Sequence, residues 1–221
     1  PAVPPAAHRR LRLRYEKKGD LRFLSHLAMM QYLERRLRMS GLLFRFSQGF
    51  HPRIKMASLP PLPVGAQGDE EAIEVAVALK VPAEGALKAV SPRSDGVPAE
   101  GPEPLSAAAI LAALNNGNSG FRFTRAGFVE GDASFHKKLR RVEYEFSWPD
   151  DDAGTRPGRE ELAALLAPGE ELDYTESGVR LGMDFVRQGQ ERFARIYRLL
   201  DPERRWTTRL RRTKVAFDDE A

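Results

Sequence analysis

The sequence predicts an α+β protein in which a ferredoxin-like N-terminal unit is followed by a second lobe of the α/β-sandwich kind. Apolar residues alternate with polar ones at 11–15 and again at 73–79, which is the period of a half-buried strand. Between these segments, residues 27–37 carry apolar side chains at helical spacing. Strand and helix patterns recur after residue 105, so the second half is expected to have the same mixed character.

The first unit is predicted to begin with a strand and an amphipathic helix. Arginines alternate with apolar residues over 10–15, and Lys17 to Asp20 supply the chemistry of a turn. A helix is expected over 25–39, with Ser25 as its N-cap and Gly41 as its C-terminal stop.

The remainder of the first unit is predicted to complete the sheet. A second short strand is expected over 42–46, and the Gly/Pro-rich loop over 48–68 contains an extended piece near 54–58. A third strand covers 73–79, and a short helix covers 82–90. Strand–helix–strand followed by strand–helix is the order of a ferredoxin-like unit, with helices on one sheet face and the other face open.

Proline and glycine mark the expected domain boundary. Residues 92–104 contain four prolines and two glycines, which excludes a regular element there. The predicted organisation is a flexible leader over 1–9, a basic ferredoxin-like lobe over 10–91, a linker over 92–104 and a second α+β lobe over 105–221. In that second lobe the predicted helices are 106–114, 159–166 and 193–200, and the predicted strands are 121–123, 142–148, 179–185 and 206–217.

The amino-acid composition excludes several kinds of active site and metal site. With 42% apolar residues, the 221-residue chain has enough material for a packed core. It has no cysteine, which excludes disulfides, thiolate zinc sites, a cysteine nucleophile and a cysteine-ligated iron–sulfur cluster in this chain. It also lacks the GxxxxGK[ST], GxGxxG and GxSxG motifs. No cofactor is therefore expected in this chain.

No apolar run approaches the roughly 20 residues that span a bilayer. We therefore expect a cytoplasmic protein that has no membrane partner.

The charge is strongly polarised along the chain. Residues 1–65 hold 13 Lys and Arg against 3 acidic residues, a local charge of +10, whereas the remainder carries −6. A basic segment of this kind favours a polyanionic partner, and RNA is the candidate.

The first candidate surface is the predicted open face of the sheet. If the apolar residues of 11–15 pack under the helix, the alternating arginines point to the other side, in line for phosphates along a backbone. The C-terminal segment adds basic residues beside an aromatic platform, which suits single-stranded nucleic acid. The alternative is a solvated strand face. The C-terminal residues are Arg204, Arg205, Trp206, Arg209, Arg211, Arg212 and Lys214.

The second candidate surface is the loop over 47–55. Gly49 allows close backbone approach to a ligand, Gln48 and His51 offer hydrogen bonds, and Arg53 can bind a phosphate in a forked geometry. The alternative is a structural loop whose His51 caps a carbonyl. The predicted nucleic-acid-binding residues are Arg10, Arg12, Arg14, Lys18, Arg22, Gln48, Gly49, Phe50, Arg53, Lys55, Arg211 and Arg212.

Two histidines are candidates for acid–base chemistry. His26 and His51, with Tyr15 or Lys17, have the groups needed for metal-independent RNA cleavage by 2′-hydroxyl attack. The alternative for His26, in the first turn of a helix, is packing or a local hydrogen bond. The four histidines lack metal-ligand spacing, and no carboxylate cluster joins them, so no metal site is predicted.

Three N-terminal segments carry a resemblance to a known family. These are YEKKGDLRFLSHL at 15–27, FSQGFHPR at 46–53 and LPPLPVG at 59–65; LRRTK at 210–214 is similar to the family's closing signature. Together they resemble the bacterial radical SAM-associated (radical SAM-linked) family, whose module is the domain of unknown function 2344. The resemblance extends from about residue 10 to residue 217, and the segment 91–104 departs from the family pattern.

The resemblance implies a partner rather than a catalytic residue. Members are encoded beside or fused to a radical SAM iron–sulfur enzyme, whose chemistry needs a cysteine triad that holds the cluster. Because this chain has no cysteine, such chemistry would occur on another polypeptide. The resemblance thus implies a non-catalytic accessory subunit that recognises a substrate or acts as a scaffold.

Three hypotheses follow. In the first, the protein binds transfer or ribosomal RNA and presents it to a radical SAM partner. In the second, it is a metal-independent endoribonuclease that uses His26 and His51. In the third, it is an interaction scaffold whose basic face docks on an acidic partner protein.

Overall fold

The computed structural model describes residues 8–48, 50–78, 106–116, 121–131, 133–149, 156–185, 189–203 and 209–218. They form a mixed α/β structure with one eight-stranded sheet and five α-helices. The strands are β1 (His8–Lys17), β2 (Met56–Ser58), β3 (Gln67–Ala78), β4 (Phe123–Val129), β5 (Leu139–Ser147), β6 (Glu171–Tyr174), β7 (Gly178–Asp184) and β8 (Leu210–Phe217). The helices are α1 (His26–Met39), α2 (Ala107–Leu114), α3 (Phe135–Lys138), α4 (Arg159–Ala163) and α5 (Gly189–Leu200).

The strands follow the order β4-β1-β3-β8-β5-β7-β6, and β2 pairs with β3 away from this path. Every pairing is antiparallel except that of β3 with β8, which is parallel. That parallel pairing covers only two register positions, Gln67 with Arg211 and Gly68 with Arg212. A short seam therefore joins the strands of the first half to those of the second.

The alternation in β1 and β3 buries one face of the first half of the sheet. Leu11 and Leu13 on β1 pair with Val75 and Ile73 on β3, and all four are buried. They cluster with the apolar face of α1, which includes Leu33. Burial of apolar area on this scale is the main stabilising term for the unit.

The local signals for α1 are confirmed. The Ser25 hydroxyl accepts a hydrogen bond from the Ala28 amide at 3.2 Å, as expected for an N-cap. Gly41, just beyond the helix, has φ of +71°, a conformation that glycine adopts without strain. The predicted extended piece near 54–58 is β2, and the third predicted strand is the longer β3.

The predicted strand over 42–46 is absent from the described elements. The segment makes only isolated bridges, Phe44 with Val77 and Phe46 with Ile54. The sequence reading also missed the short α3 and β6, because neither is long enough to show a full period.

The two hydrophobic clusters do not divide at the predicted boundary. Phe121 and Phe123, which follow it, pack with the first cluster, whereas Leu59 and Leu62 belong to the second. His8 and Arg9, assigned to the leader, lie in β1. The linker at 92–104 and the helix at 82–90 lie outside the described residues, so the division into two lobes stays a prediction.

A buried ion pair lies at the seam between the halves. Arg212 is completely buried, and its Nη1 donates to both carboxylate oxygens of Glu71 at 2.9 Å. Its Nη2 donates to the Pro60 carbonyl at 2.7 Å. Gly68 makes room for this pair, because a Cβ there would lie 2.5 Å from Glu71 Oε1.

The seam keeps Arg212 charged. Burial by itself lowers the pKa of Arg212, but the Glu71 charge and the Tyr144 hydroxyl raise it above its ordinary value. Removing one partner of such a buried pair leaves the other charge without water or an oppositely charged group nearby.

We predict that Arg212→Gln lowers the free energy of unfolding by about 3–5 kcal/mol, because Glu71 is left buried and unpaired. The measurement is urea unfolding followed by circular dichroism. Arg211→Gln is the matched control: Arg211 is half-exposed, and surface ion pairs contribute at most about 1 kcal/mol. Equal losses in the two variants would contradict a structural role for the Arg212 pair.

Candidate functional site

Arg12 does not lie on an open sheet face, contrary to the prediction. Its side chain is buried, and Nε and Nη2 donate to Glu74 Oε1 at 3.1 and 2.7 Å. The guanidinium carbon lies 3.6 Å from the centre of the Phe217 ring. Because Phe217 ends β8, the second half of the chain covers the face that was expected to be open.

Arg14 and Arg212 are also buried. Arg14 donates from Nη1 to Glu70 at 3.1 Å and from Nη2 to the Val215 carbonyl at 3.2 Å. Arg212 is occupied by Glu71. The prediction that these arginines face phosphates on an exposed surface is therefore wrong, since their charges are compensated inside the protein.

Lys18 and Arg211 are more exposed but already neutralised. Lys18 lies 3.0 Å from Glu16 and 3.2 Å from Asp69. Arg211 lies 3.1 Å from Asp69 and 3.2 Å from Glu145. A phosphate at either position would compete with a carboxylate.

Arg10 and Arg22 likewise have local contacts. Arg10 donates to the carbonyl oxygens of Gly131 and Ala133, which ties β1 to the turn after β4. Arg22 is half-buried, with its guanidinium carbon 4.7 Å from the centre of the Phe23 ring. The Arg10 guanidinium group is thus engaged by backbone carbonyls, whereas the contact of Arg22 is with an aromatic ring.

The C-terminal platform is only partly described. Arg204, Arg205 and Trp206 lie outside the described residues. Arg209 donates to the Trp148 carbonyl at 2.7 Å, and Lys214 is exposed on β8. The expected convergence of these groups with the β1 arginines therefore stays a prediction.

The loop over 47–53 has a closed base. The Ser47 amide donates to the Arg53 carbonyl at 2.8 Å, and the Arg53 amide donates to the Ser47 hydroxyl at 3.0 Å. Arg38 of α1 donates to the Pro52 carbonyl at 3.0 Å, which holds the loop against the helix. Gln48 is exposed and Gly49 lies outside the described residues.

A groove of about 530 Å³ lies between this loop and the second half of α1. We call it the α1 groove, and its lining residues are Gln31, Glu34, Arg35, Arg38, Phe50, His51, Pro52 and Arg53. The prediction of a ligand site over 47–55 did not include the arginines of α1.

The α1 groove is basic on its open side. Glu34 is the carboxylate that lines it, and it is occupied by Arg38 at 2.7 Å and by the Ile54 amide at 3.3 Å. Arg35 and Arg53 are exposed, and no carboxylate among the described residues lies within ion-pair distance of either. These two arginines are therefore available to an anionic ligand.

Lys55 faces a different depression. With Arg10, Glu74 and Phe135 it lines a cavity of about 440 Å³ beside β2. The predicted nucleic-acid residues are consequently distributed over separate surfaces, and only those of the loop meet α1.

A second, enclosed cavity brings together three of the four candidate catalytic residues. We call it the Lys17 cavity; it is lined by Tyr15, Lys17, His26, Met29, Met30, Glu71 and the segment 58–62. Its volume of about 10 Å³ is close to the room that a single water molecule needs. The segment 58–62 covers it and is held by the hydrogen bond from Arg212 to Pro60.

Burial shapes the protonation of this cavity. Lys17 is buried, and that burial lowers its pKa, with Arg212 adding to the effect and Glu71 opposing it. Burial also lowers the pKa of His26, and the charge of Lys17 lowers it further. Burial raises the pKa of Tyr15. No hydrogen bond joins the Lys17 ammonium to another described residue.

The two candidate catalytic histidines do not share a site. His26 begins α1 and borders the Lys17 cavity, whereas His51 is exposed in the α1 groove. Among the described residues, no group of three acidic, histidine or cysteine side chains is placed to hold a metal ion. Nor do the described helices include one long and apolar enough to span a membrane.

We predict that Lys17→Met raises thermal stability at pH 7. A folded-state pKa below the unfolded value of 10.5 means that protonated Lys17 opposes folding, and this cost disappears as pH rises through 10.5. The gain should therefore shrink in melting curves recorded from pH 7 to about 11. The neighbouring Lys18→Met, which removes a surface pair and a raised pKa, should not stabilise. A loss of stability in Lys17→Met at pH 7 would contradict the assignment.

Comparison with known proteins adds one match. A family model described as an uncharacterized protein conserved in bacteria (DUF2344) matches residues 10–95. No curated protein matches the chain. The matched segment contains every residue that lines the α1 groove and the Lys17 cavity, whereas Arg212 lies outside it. The first part of this chain is thus similar to a bacterial family whose description states no activity.

Proposed function

We propose that the protein binds RNA in the α1 groove and serves as an accessory subunit of a radical SAM enzyme. The observation that carries the RNA proposal is a fully exposed aromatic ring, Phe50, beside two arginines with no carboxylate partner among the described residues, Arg35 and Arg53. Positive groups that follow a backbone together with aromatic rings are typical of RNA-binding surfaces.

The charge distribution supports the groove over the arginines of β1 and β8. Arg12, Arg14 and Arg212 are compensated inside the protein by Glu74, Glu70 and Glu71. In the α1 groove the single carboxylate is already occupied by an arginine and a backbone amide. An incoming phosphate would therefore meet positive charge there without displacing an internal ion pair.

The partner proposal has a different support. The segments at 15–27, 46–53 and 59–65 resemble a radical SAM-associated family, and this chain has no cysteine to hold a cluster. An accessory role, in the bacterial cytoplasm and with transfer or ribosomal RNA as substrate, is consistent with both points. Co-purification with an iron–sulfur protein after nuclease treatment would test the partnership independently of RNA.

The arrangement of the first half supports a ferredoxin-like unit as its finer fold. β4, β1, β3 and β2 lie side by side in that order with antiparallel pairing. α1 falls between β1 and β2 in the chain, and α2 between β3 and β4. This is the order of strands and helices that the ferredoxin-like unit uses.

The ribonuclease alternative has weaker support. His26, Tyr15 and Lys17 share the Lys17 cavity, but its room for about one water cannot admit a ribose, and His51 lies in the other site. A general acid and base must both reach the same scissile bond. Intact RNA after incubation with the pure protein is the expected result.

We predict that RNA affinity falls steeply with salt and depends on the groove arginines. Arg35→Gln and Arg53→Gln should each weaken binding of a single-stranded RNA and reduce the slope of log K against log salt by about 0.7. The measurement is fluorescence anisotropy with a labelled oligonucleotide at several potassium chloride concentrations.

The matched control for this experiment is Arg198→Gln. Arg198 is an exposed arginine on α5, in the other half of the chain, so its loss should leave both affinity and slope unchanged. A flat salt dependence for the unaltered protein, or equal effects of all three substitutions, would refute phosphate binding in the groove.

A further inference from the structure

The side chain of Phe50 is far more exposed than any other large hydrophobic side chain among the described residues. Its exposed fraction is 102%, whereas the other exposed large hydrophobic side chains among the described residues range from 37% to 68%. The ring therefore contacts essentially nothing in the protein. Exposing a phenylalanine in water forfeits about 1.5–3 kcal/mol relative to burial, so a position like this one favours a partner that covers the ring.

Hydrogen bonds hold the two ends of the loop that carries this ring. The reciprocal hydrogen bonds of Ser47 and Arg53 close the loop, and the Arg38 side chain holds the Pro52 carbonyl. Proline restricts its own backbone angle φ, so Pro52 stiffens the loop segment that follows Phe50. Because these contacts order the ends of the loop before a ligand binds, less conformational entropy is lost when the ligand covers the ring.

We propose that Phe50 stacks on an unpaired base, so that the ligand class of the α1 groove is single-stranded RNA or an RNA loop rather than duplex. Arg35 and Arg53 then bind the phosphates that flank that nucleotide. This inference rests on the proposed RNA-binding function and specifies which form of RNA is bound.

The geometry of nucleic acids explains the choice. In an A-form duplex both faces of each base are covered by its neighbours, and side chains do not enter the deep, narrow major groove. A protruding ring can therefore stack only on a base that has left the helix. Phosphates, in contrast, are available to Arg35 and Arg53 in either form of RNA.

An acidic protein is the competing occupant, and the neighbouring side chains argue against it. Phe50 and Pro52 are the apolar residues among the eight that line the groove, and the other six carry polar or charged side chains. Protein interfaces bury their aromatic anchors inside well-packed apolar centres. Stacking on a base needs only one face of a ring and suits an isolated aromatic side chain better.

The test compares two RNA probes with three variants. One probe is a 12-nucleotide single strand that carries 2-aminopurine, and the other is the same strand paired with its complement in a blunt-ended duplex. Binding is measured by anisotropy and stacking by quenching of the 2-aminopurine fluorescence. The variants are Phe50→Ala, Phe50→Trp, and Phe23→Ala as control, because Phe23 is also exposed (52%) but lies outside the groove.

We expect Phe50→Ala to weaken single-strand binding roughly 5- to 150-fold and to abolish quenching, while its salt slope stays that of the unaltered protein. Phe50→Trp should retain both binding and quenching, because tryptophan also stacks. Phe23→Ala should behave as the unaltered protein. The blunt-ended duplex should bind more weakly than the single strand and show no effect of Phe50→Ala.

The outcomes separate the two proposals. Salt-dependent RNA binding with equal affinity for both probes and no effect of Phe50→Ala would overturn base stacking and leave RNA binding intact. Absence of RNA binding by the unaltered protein would overturn both. Loss of a co-purifying acidic protein in Phe50→Ala, in the absence of RNA binding, would assign the ring to a protein interface instead.

Discussion

The buried contact of Arg212 with Glu71 holds together the two halves of the described sheet. It lies where β8 meets β3, the one parallel pairing among the described strands, which spans only two register positions and joins the strands of the two halves. The same guanidinium group holds the Pro60 carbonyl over the Lys17 cavity and approaches the Tyr144 hydroxyl. A seam with so little backbone pairing needs side chains to fix it, and a buried charge pair fixes its register, because any slip would strand a charge away from its partner.

Internal ion pairs reduce the positive charge that the basic N-terminal segment exposes to solvent. Four of its thirteen basic side chains pair with carboxylates of β3, so a local excess of +10 in the sequence does not become an equally basic surface. Of the basic side chains that remain exposed, Arg35, Arg38 and Arg53 lie together where the second half of α1 faces the loop over 47–53. The fold thus separates structural arginines from those that are available to a ligand, and the exposed Phe50 lies with the second group.

Local signals were sufficient for β1 and for α1 with its Ser25 cap, whereas the loop as a ligand site stays a prediction. The arginines of β1 were misplaced, because their partners lie 62 and 56 residues away in β3 and their cover lies about 200 residues away in β8. Alternation shows that two faces differ, but it does not show whether the polar face is covered by a distant strand. The opposite charges at facing positions of β1 and β3, such as Arg12 and Glu74, were the signal that could have revealed internal pairing.

The most direct test of this account is to map RNA contacts residue by residue. Amide chemical shifts of the isotope-labelled protein, followed during titration with single-stranded RNA, distinguish the α1 groove from the strand arginines. RNA binding in the α1 groove predicts amide chemical-shift perturbations over 31–38 and 50–53, with little change at Arg12, Arg14 and Arg212. Perturbations centred on β1 and β8, with the groove unaffected, would contradict it.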